Sequence, residues 1–395
     1  MKFSPKFFVT NRQRLRGVLP GSALVVAANG QLQRSADTPF VFRQDSNFWY
    51  LTGITEPDLI LYIDQDAEEY IVLPDREDHR NLWDGEVNTR SYEEVSGIKN
   101  YISSKQFSEK LEQLKLAKIK VARPSPPDPY LSTYGMFTNP ARAILEKRLI
   151  KAGLKRVDCR MDLARLRSVK QKIELEAIQQ AIDITIESLK SLKKKLSSQK
   201  SELELSNYLL AEFLKRGANG VAFESVIASA KNAATIHHRA SDQSVKNDSL
   251  LLLDVGAEFS NYAADISRTW VIGEVAAKQL KCKAAVKEVQ DFAFSLLRPG
   301  IFLRDYASQV RKFAADCYKQ NRLIEHKQQI DEVLPHAISH FLGLDVHDAG
   351  DYERPLEENM VLTVEPGIYL PAERIGVRIE DDVLITKTGA RWLSK

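Results

Sequence analysis

The chain has 395 residues, with 56 lysines and arginines against 53 aspartates and glutamates, and a formal net charge of +3. Its 44% hydrophobic, 28% charged and 8% aromatic residues match an average globular protein, which excludes a disordered chain, a collagen-like fibre and a dedicated electropositive nucleic-acid surface. Cys159, Cys282 and Cys317 are too few and too scattered for a disulfide framework or a thiolate metal site. The N-terminal MKFSPKFFVTNRQRLRG is basic throughout and has no apolar signal core, and no run approaches the roughly 18 apolar residues of a membrane span. The expectation is a cytoplasmic protein with no membrane or nucleic-acid partner.

At about 150 residues per domain, the length asks for two folding units. Ala23–Ala28, Leu59–Ile63, Tyr70–Leu73 and Ile119–Ala122 are short β-branched strand runs, and Phe107, Leu111 and Leu114 share one helical face. This first region reads as α/β. Pro124, Pro126, Pro127 and Pro129 stop any regular element, after which Asn139-Pro140 predicts an N-cap and first-turn proline for a helix running to about Lys151. From Val169 the residues Ile173, Ala177, Ala181, Ile182, Thr185, Leu189, Leu192 and Leu196 describe one long amphipathic helix. A second starts near Ser201, with Glu204 completing a capping box, and closes at Gly217. The domain boundary is expected just before this pair, giving 1–160 and 161–395. Strand-like runs follow at Ser249–Val255, Asn261–Val271, Met360–Leu370 and Gly376–Thr386. Between the two pairs lie helices marked by Cys282, Ala285, Val286, Val289 and Leu296, and by Tyr306, Val310, Phe313, Ala314 and Cys317. Strand pair, two helices, strand pair suggests a duplicated unit folded around one site.

Charged residues inside those apolar runs carry the chemistry. Asp254 ends a run of four leucines, and eleven residues later Asp265 sits between Ala264 and Ile266. A buried carboxylate needs a cation, a donor network or a proton, and a hairpin would bring these two to one point. HAISHFLGLDVHDAG holds His336, His340 and His347, three of the chain's seven histidines. Glu365 and Glu380 lie within LTVEPGIYL and GVRIEDDVLIT. Taken singly, each has a plainer explanation: a strand-end Asp caps a turn, a histidine sits satisfied in a core, and Arg268 or Arg378 neutralises a Glu. Together, four carboxylates and a histidine make an oxygen-rich pocket for two divalent cations, with harder ions of the manganese type favoured over a structural zinc.

LLDVG, YAADISRTW, HAISHFLGLDVHD, LTVEPGIY and GVRIEDDV, in this order, resemble the pita-bread metallopeptidases, in particular the branch of Xaa-Pro aminopeptidases (aminopeptidase P) and prolidases. RSADTPFVFRQDSNFWYLTGITEP, residues Arg34–Pro57, is similar to the N-terminal domain of that branch, so the likeness spans nearly the whole chain. It implies an α/β protein: an α+β pita-bread catalytic domain at the C-terminus behind a smaller α/β N-terminal domain. It implies metal ligands at Asp254, Asp265, His340, Glu365 and Glu380, with Asp265 and Glu380 bridging two divalent ions: Mn2+ foremost, with Co2+, Zn2+ and Fe2+ as the other choices. His237, in IHHRAS, and His347 would contact substrate, Glu365 would move a proton, and Arg378 would fix a carboxylate. His336, Tyr369, Trp83 and Asp37 match residues surrounding that site. The implied activity is hydrolysis of the N-terminal Xaa-Pro bond of peptides by a hydroxide between the two metals, in a homodimer or homotetramer. The close alternative is a prolidase restricted to Xaa-Pro dipeptides, and the distant one a catalytically silent pita-bread binding protein. Two departures stand out: Ala337 follows His336 where the family often has Gly, and Asn359 stands where Gly is usual.

Overall fold

The structure, a computed structural model, describes residues 1–75, 82–83, 85–126, 135–196 and 200–395. Pro127 and Pro129 lie outside the described residues. The chain forms two compact units, Lys2–Leu166 and Arg167–Lys395, with Met1 counted in the second. Among the described residues no helix is long and apolar enough to cross a membrane.

The N-terminal unit is built on one six-stranded mixed sheet, in the spatial order Asn100–Ile102, Glu69–Val72, Ile60–Ile63, Ser22–Ala27, Lys120–Arg123, Arg156–Asp158. Ser22–Ala27 runs antiparallel to Ile60–Ile63 and parallel to Lys120–Arg123, and from Ala23 onward it is buried, as its apolar run requires. The helix Ser104–Leu116 starts on a reciprocal capping box: Gln106 N–H donates to Ser103 Oγ at 3.2 Å and Ser103 N–H to Gln106 Oε1 at 2.8 Å. Its Phe107, Leu111 and Leu114 are all buried against Val25, Tyr62 and Val121, each burial contributing about 1.5–3 kcal/mol. The next helix covers Ala141–Lys151, ending where the pattern put it; its N-cap is Pro140, one position later than predicted, and Asn139 Oδ1 accepts Ala141 N–H at 3.2 Å.

In the C-terminal unit the long helix covers Lys172–Lys195 and buries Ala177, Ala181, Ile182, Thr185, Leu189 and Leu192; Leu196 falls just beyond it. Glu202–Lys215 follows. Ser201 caps it through Glu204 N–H, but the Glu204 carboxylate accepts from Lys200 N–H instead of Ser201, so the capping box is only half formed. Ser249–Val255 pairs with Val226–Ser229 on one side and Ile266–Ile272 on the other, all antiparallel. A second three-stranded sheet joins Val361–Val364, Asp381–Ile385 and Ala390–Trp392, and Gly367–Leu370 pairs with Ile375–Arg378. The helices Ala277–Leu296 and Leu303–Gln320 pack Val286, Val289, Val310 and Ala314 against Leu362, Val364, Val377 and Val383.

Three runs expected as continuous strands are each broken. Asn261–Val271 becomes Tyr262–Ala263 and Ile266–Ile272, Met360–Leu370 splits after Val364, and Gly376–Thr386 splits after Arg378. The breaks contain Asp265, Glu365 and Glu380. Each of these amides donates out of its own ladder: Asp265 N–H to Asp382 Oδ2 (3.2 Å), Glu365 N–H to Ile338 O (2.9 Å) and Glu380 N–H to Ser267 O (3.1 Å).

Candidate metal centre

Ser249–Val255 and Ile266–Ile272 are in a register that sets Asp254 opposite Ser267. Ser267 Oγ lies 2.9 Å from Asp254 Oδ1 and 2.7 Å from Glu380 Oε2, and accepts Arg378 Nε–H at 2.8 Å. One hydroxyl proton faces two carboxylate oxygens, and the Arg378 guanidinium beside them sets one positive charge against the two carboxylates. Arg378 also donates to Asp254 Oδ2 and to Tyr369 Oη. Arg268, the other arginine expected to neutralise a Glu, pairs instead with Asp381 at 2.7 Å.

One ligand atom from each of Asp265, His340 and Glu380, all buried, lies within 4.8 Å of the others. His340 Nδ1 sits 3.0 Å from Phe341 O, the distance of a donated N–H, which turns Nε2 toward Asp265 Oδ2 (3.4 Å) and Glu365 Oε1 (3.5 Å). A ring nitrogen facing two carboxylate oxygens across such a gap is a donor set for a shared cation. Asp265 Oδ1 is buried without a hydrogen-bond partner. Burial first, and then repulsion by Asp254, Asp382 and Glu365, pushes the Asp265 carboxyl well above the usual range. Glu380 is pushed the same way by burial, Asp265, Glu365 and Asp254. Glu365 is raised by burial and Asp254 despite His340 and Arg378. Three carboxyls that resist ionising together, a histidine nitrogen aimed among them and an orphaned oxygen fit divalent cations, whose charge reverses each of these penalties.

Around this cluster a chain of hydrogen bonds runs from Arg378 Nη1 to Tyr369 Oη (2.6 Å) and on to His336 Nε2 (3.0 Å), while His336 Nδ1 sits 2.8 Å from Ala337 O. Burial, then Arg378, lowers the His336 pKa to about 4, so this ring is neutral and accepts the tyrosine proton. His347 stands edge-on to His340, ring centroids 4.3 Å apart. Its pKa is lowered to about 4 by desolvation and by the neighbouring His340 and His237. His237 is exposed on the segment after Ala230–Ala234. Gly376 lets that segment close in: a Cβ there would sit 1.7 Å from Ala233 O. The structure therefore brings Asp254, Asp265, His336, His340, His347, Glu365, Tyr369, Arg378 and Glu380 together. Trp83 and Asp37 belong to the N-terminal unit and are exposed, Trp83 by 80%.

Ser267, Thr363 and Asp382 were not anticipated. Thr363 Oγ1 donates to Glu365 Oε1 (3.3 Å) and accepts His340 N–H (3.1 Å). Ser267 and Thr363 stand two residues from Asp265 and Glu365, the same-face spacing that singles out Arg378 beside Glu380. Asp382 is fully buried with Oδ1 unpartnered; as one more acid in EDD it carries no distinguishing sequence signal.

A fold of two three-stranded sheets closing on a carboxylate-rich, histidine-containing pocket defines a metal-dependent hydrolase of the pita-bread class. Residues 176–387 match the model of metallopeptidase family M24, and residues 8–121 match the aminopeptidase P N-terminal domain. Xaa-Pro aminopeptidase 3 of Homo sapiens is 30% identical over 94% of this chain and 78% of its own length, and the Xaa-Pro aminopeptidase of Haemophilus influenzae is 30% identical over 95% and 90%. The solved structure of aminopeptidase P from E. coli superposes with a TM-score of 0.85 at 27% identity, covering 100% of this chain and 96% of that one. The chain belongs to metallopeptidase family M24.

Proposed function

We propose that the protein is a metal-dependent Xaa-Pro aminopeptidase, releasing the N-terminal residue of peptides with proline in the second position. The observation that carries this is the convergence of Asp265, His340 and Glu380, with Asp254 and Glu365 against them, in a chain whose relatives along almost its full length include Xaa-Pro aminopeptidases. Asp254, Asp265, His340, Glu365 and Glu380 hold two divalent cations, with Mn2+ as the working metal of an oxygen-dominated donor set. When bound, such cations polarise the scissile carbonyl and lower the pKa of a water at the site. The chain's own groups do the rest. Glu365, whose carboxyl burial and Asp254 push upward against His340 and Arg378, carries a proton toward the departing proline nitrogen. His347 and His237 donate to the substrate carbonyl as charge develops on it. Arg378 holds Asp254 in place through its guanidinium and orders His336 through Tyr369.

The remaining features of this reading are a boundary near residue 160 between an N-terminal domain and a catalytic domain at 161–395, a cytoplasmic location and a homodimeric or homotetrameric state. A proline amide lacks N–H and has a fixed φ, so enzymes that grip an extended N–H-donating strand handle it poorly, and a dedicated pocket is required. The test compares an Xaa-Pro-Pro tripeptide with an Xaa-Pro dipeptide, using protein loaded with Mn2+. Cleavage of the tripeptide at the first bond is expected; cleavage of the dipeptide alone identifies a prolidase, and neither cleavage nor bound metal a silent binding protein.

A further inference from the structure

The segment between His340 and His347 is closed by an ion cluster that the proposed chemistry does not use. Asp348 N–H donates to Phe341 O at 2.8 Å, which ties the two ends of the segment together. The Asp348 carboxylate then turns into the interior, where Lys170 Nζ meets Oδ2 at 2.7 Å and Arg167 Nη2 bonds Oδ1. All three side chains are at most 3% exposed. Arg167 Nη2 also reaches Asp345 Oδ2 at 2.6 Å, so two cations from the stretch preceding the long helix hold two carboxylates of one loop. Lys170 is itself fixed, its Nζ donating to Arg167 O (2.7 Å) and its N–H to Asn359 O (2.9 Å). Gly343 completes the packing: a Cβ there would lie 2.2 Å from Asp348 Oδ2 and 2.7 Å from Lys170 Nζ. The Gly343 carbonyl accepts from Ala263 N–H at 2.8 Å, joining the loop to the strand just before Asp265.

A buried pair of this kind adds little net stability over apolar residues of the same volume, but it admits only one geometry. That geometry is spent on His347. His347, the residue next to Asp348, stands edge-on to His340, so the backbone that carries its ring is the one the cluster anchors. We propose that Arg167 and Lys170 act through Asp348 as positioning residues for His347, setting the direction from which its imidazole meets the substrate carbonyl. This rests on the reading of His347 as a substrate contact.

The experiment is a double-mutant cycle on the Mn2+-loaded enzyme, with the Xaa-Pro-Pro tripeptide as substrate and metal content measured alongside. Misplacement of a catalytic group by about an ångström costs up to about a hundredfold, so Asp348→Asn is expected to lower kcat/KM by about tenfold or more while two metals remain bound. In a His347→Ala background the same substitution is expected to cost less than about threefold, because contacting residues that act through one group are non-additive. Equal losses in both backgrounds, or no loss in either, overturn the inference and leave the proposed function standing. Unchanged kinetics in His347→Ala overturn the substrate-contact reading and this inference with it. A wild type that cleaves neither peptide fails at the level of the proposed function. Should Asp348→Asn not fold, Lys170→Met keeps the Arg167–Asp348 pair and gives the same cycle.

Discussion

Each of the two units buries charge, and does so to opposite effect. In the N-terminal unit Arg12 is fully buried, yet every direction of its guanidinium is met: Nε and Nη2 donate to Glu69 at 2.8 and 2.7 Å, Nη1 to Leu51 O at 2.7 Å, and Nη2 again to Ser96 O at 3.0 Å. In the C-terminal unit four carboxylates crowd around one histidine with Arg378 as the cation bonded among them, and Asp265 Oδ1 has no partner. A closed cluster is structural, because its charges are already answered. The open one is left for something that must arrive, and its local cost marks it as the functional site.

The largest effect that sharpens this contrast is expected from Asp265→Asn. Elemental analysis should show loss of bound metal, and kcat/KM on the tripeptide should fall by more than about a thousandfold, since the cation-holding charge is removed at its centre. The same substitution should raise the melting temperature in excess chelator, because it removes one of the carboxyls that Glu380 repels. A variant that keeps its full metal content contradicts the assignment of Asp265.

Arg12→Met is the counterpart in the closed cluster. It strands the Glu69 carboxylate and two backbone carbonyls, and should destabilise the protein by about 3 kcal/mol, read as a shift in the denaturant midpoint. Metal content should be unchanged. If Arg12→Met left stability untouched, the closed cluster would not be structural.

Chelation should act next, with a pH dependence whose sign follows from the raised carboxyls. Asp265 and Glu380 sit above their unfolded pKa values in the protein. Such groups contribute stability below the unfolded carboxylate range, about 4, and that contribution is lost as pH rises through the folded values. In chelator these two carboxyls should therefore lower the melting temperature as pH rises, against the opposite slope of His336 and His347 below about pH 6.5, so the shortfall of the wild type against Asp265→Asn should grow with pH. With Mn2+ present the ligands must be deprotonated to bind, so stabilisation by the metal should grow as pH rises, by about 1.4 kcal/mol for each tenfold excess of free cation over its Kd.

Which parts of this were legible in the sequence follows from what the signals encode. Phe107, Leu111 and Leu114, or the Lys172–Lys195 stripe, are local periodicities, and a helix needs nothing more to be found. The candidate metal ligands were visible because carboxylates interrupting buried runs are expensive wherever they occur. What sequence could not supply was the break in each run: Asp265, Glu365 and Glu380 leave their ladders because their amides find acceptors on distant segments, such as Ile338 O and Ser267 O. Tertiary partners of that kind have no local trace. Arg12 was hidden for the same reason. In TNRQR it reads as one more exposed base, and only its bonds to Glu69, Leu51 and Ser96 reveal a core residue.

The smallest expected effect lies at Asn359, where the family pattern has Gly. Its φ of 69° is in the left-handed region that Gly occupies without cost and Asn tolerates better than other side chains. Both hydrogen bonds that anchor it are made by its backbone: its N–H donates to Ile385 O at 2.9 Å, and its carbonyl accepts Lys170 N–H at 2.9 Å. Asn359→Gly keeps both bonds and relieves the backbone, while adding freedom to the unfolded chain, so stability should change by less than about 1 kcal/mol in either direction. Asn359→Val, β-branched at a positive φ, should cost more than that and disturb the Lys170 contact. Kinetics on the tripeptide should then separate the two: unchanged for Asn359→Gly, and lowered for Asn359→Val in step with loosening of the Asp348 cluster to which Lys170 belongs. A loss of activity in Asn359→Gly would mean that the side chain, and not the turn it sits in, is what the site requires.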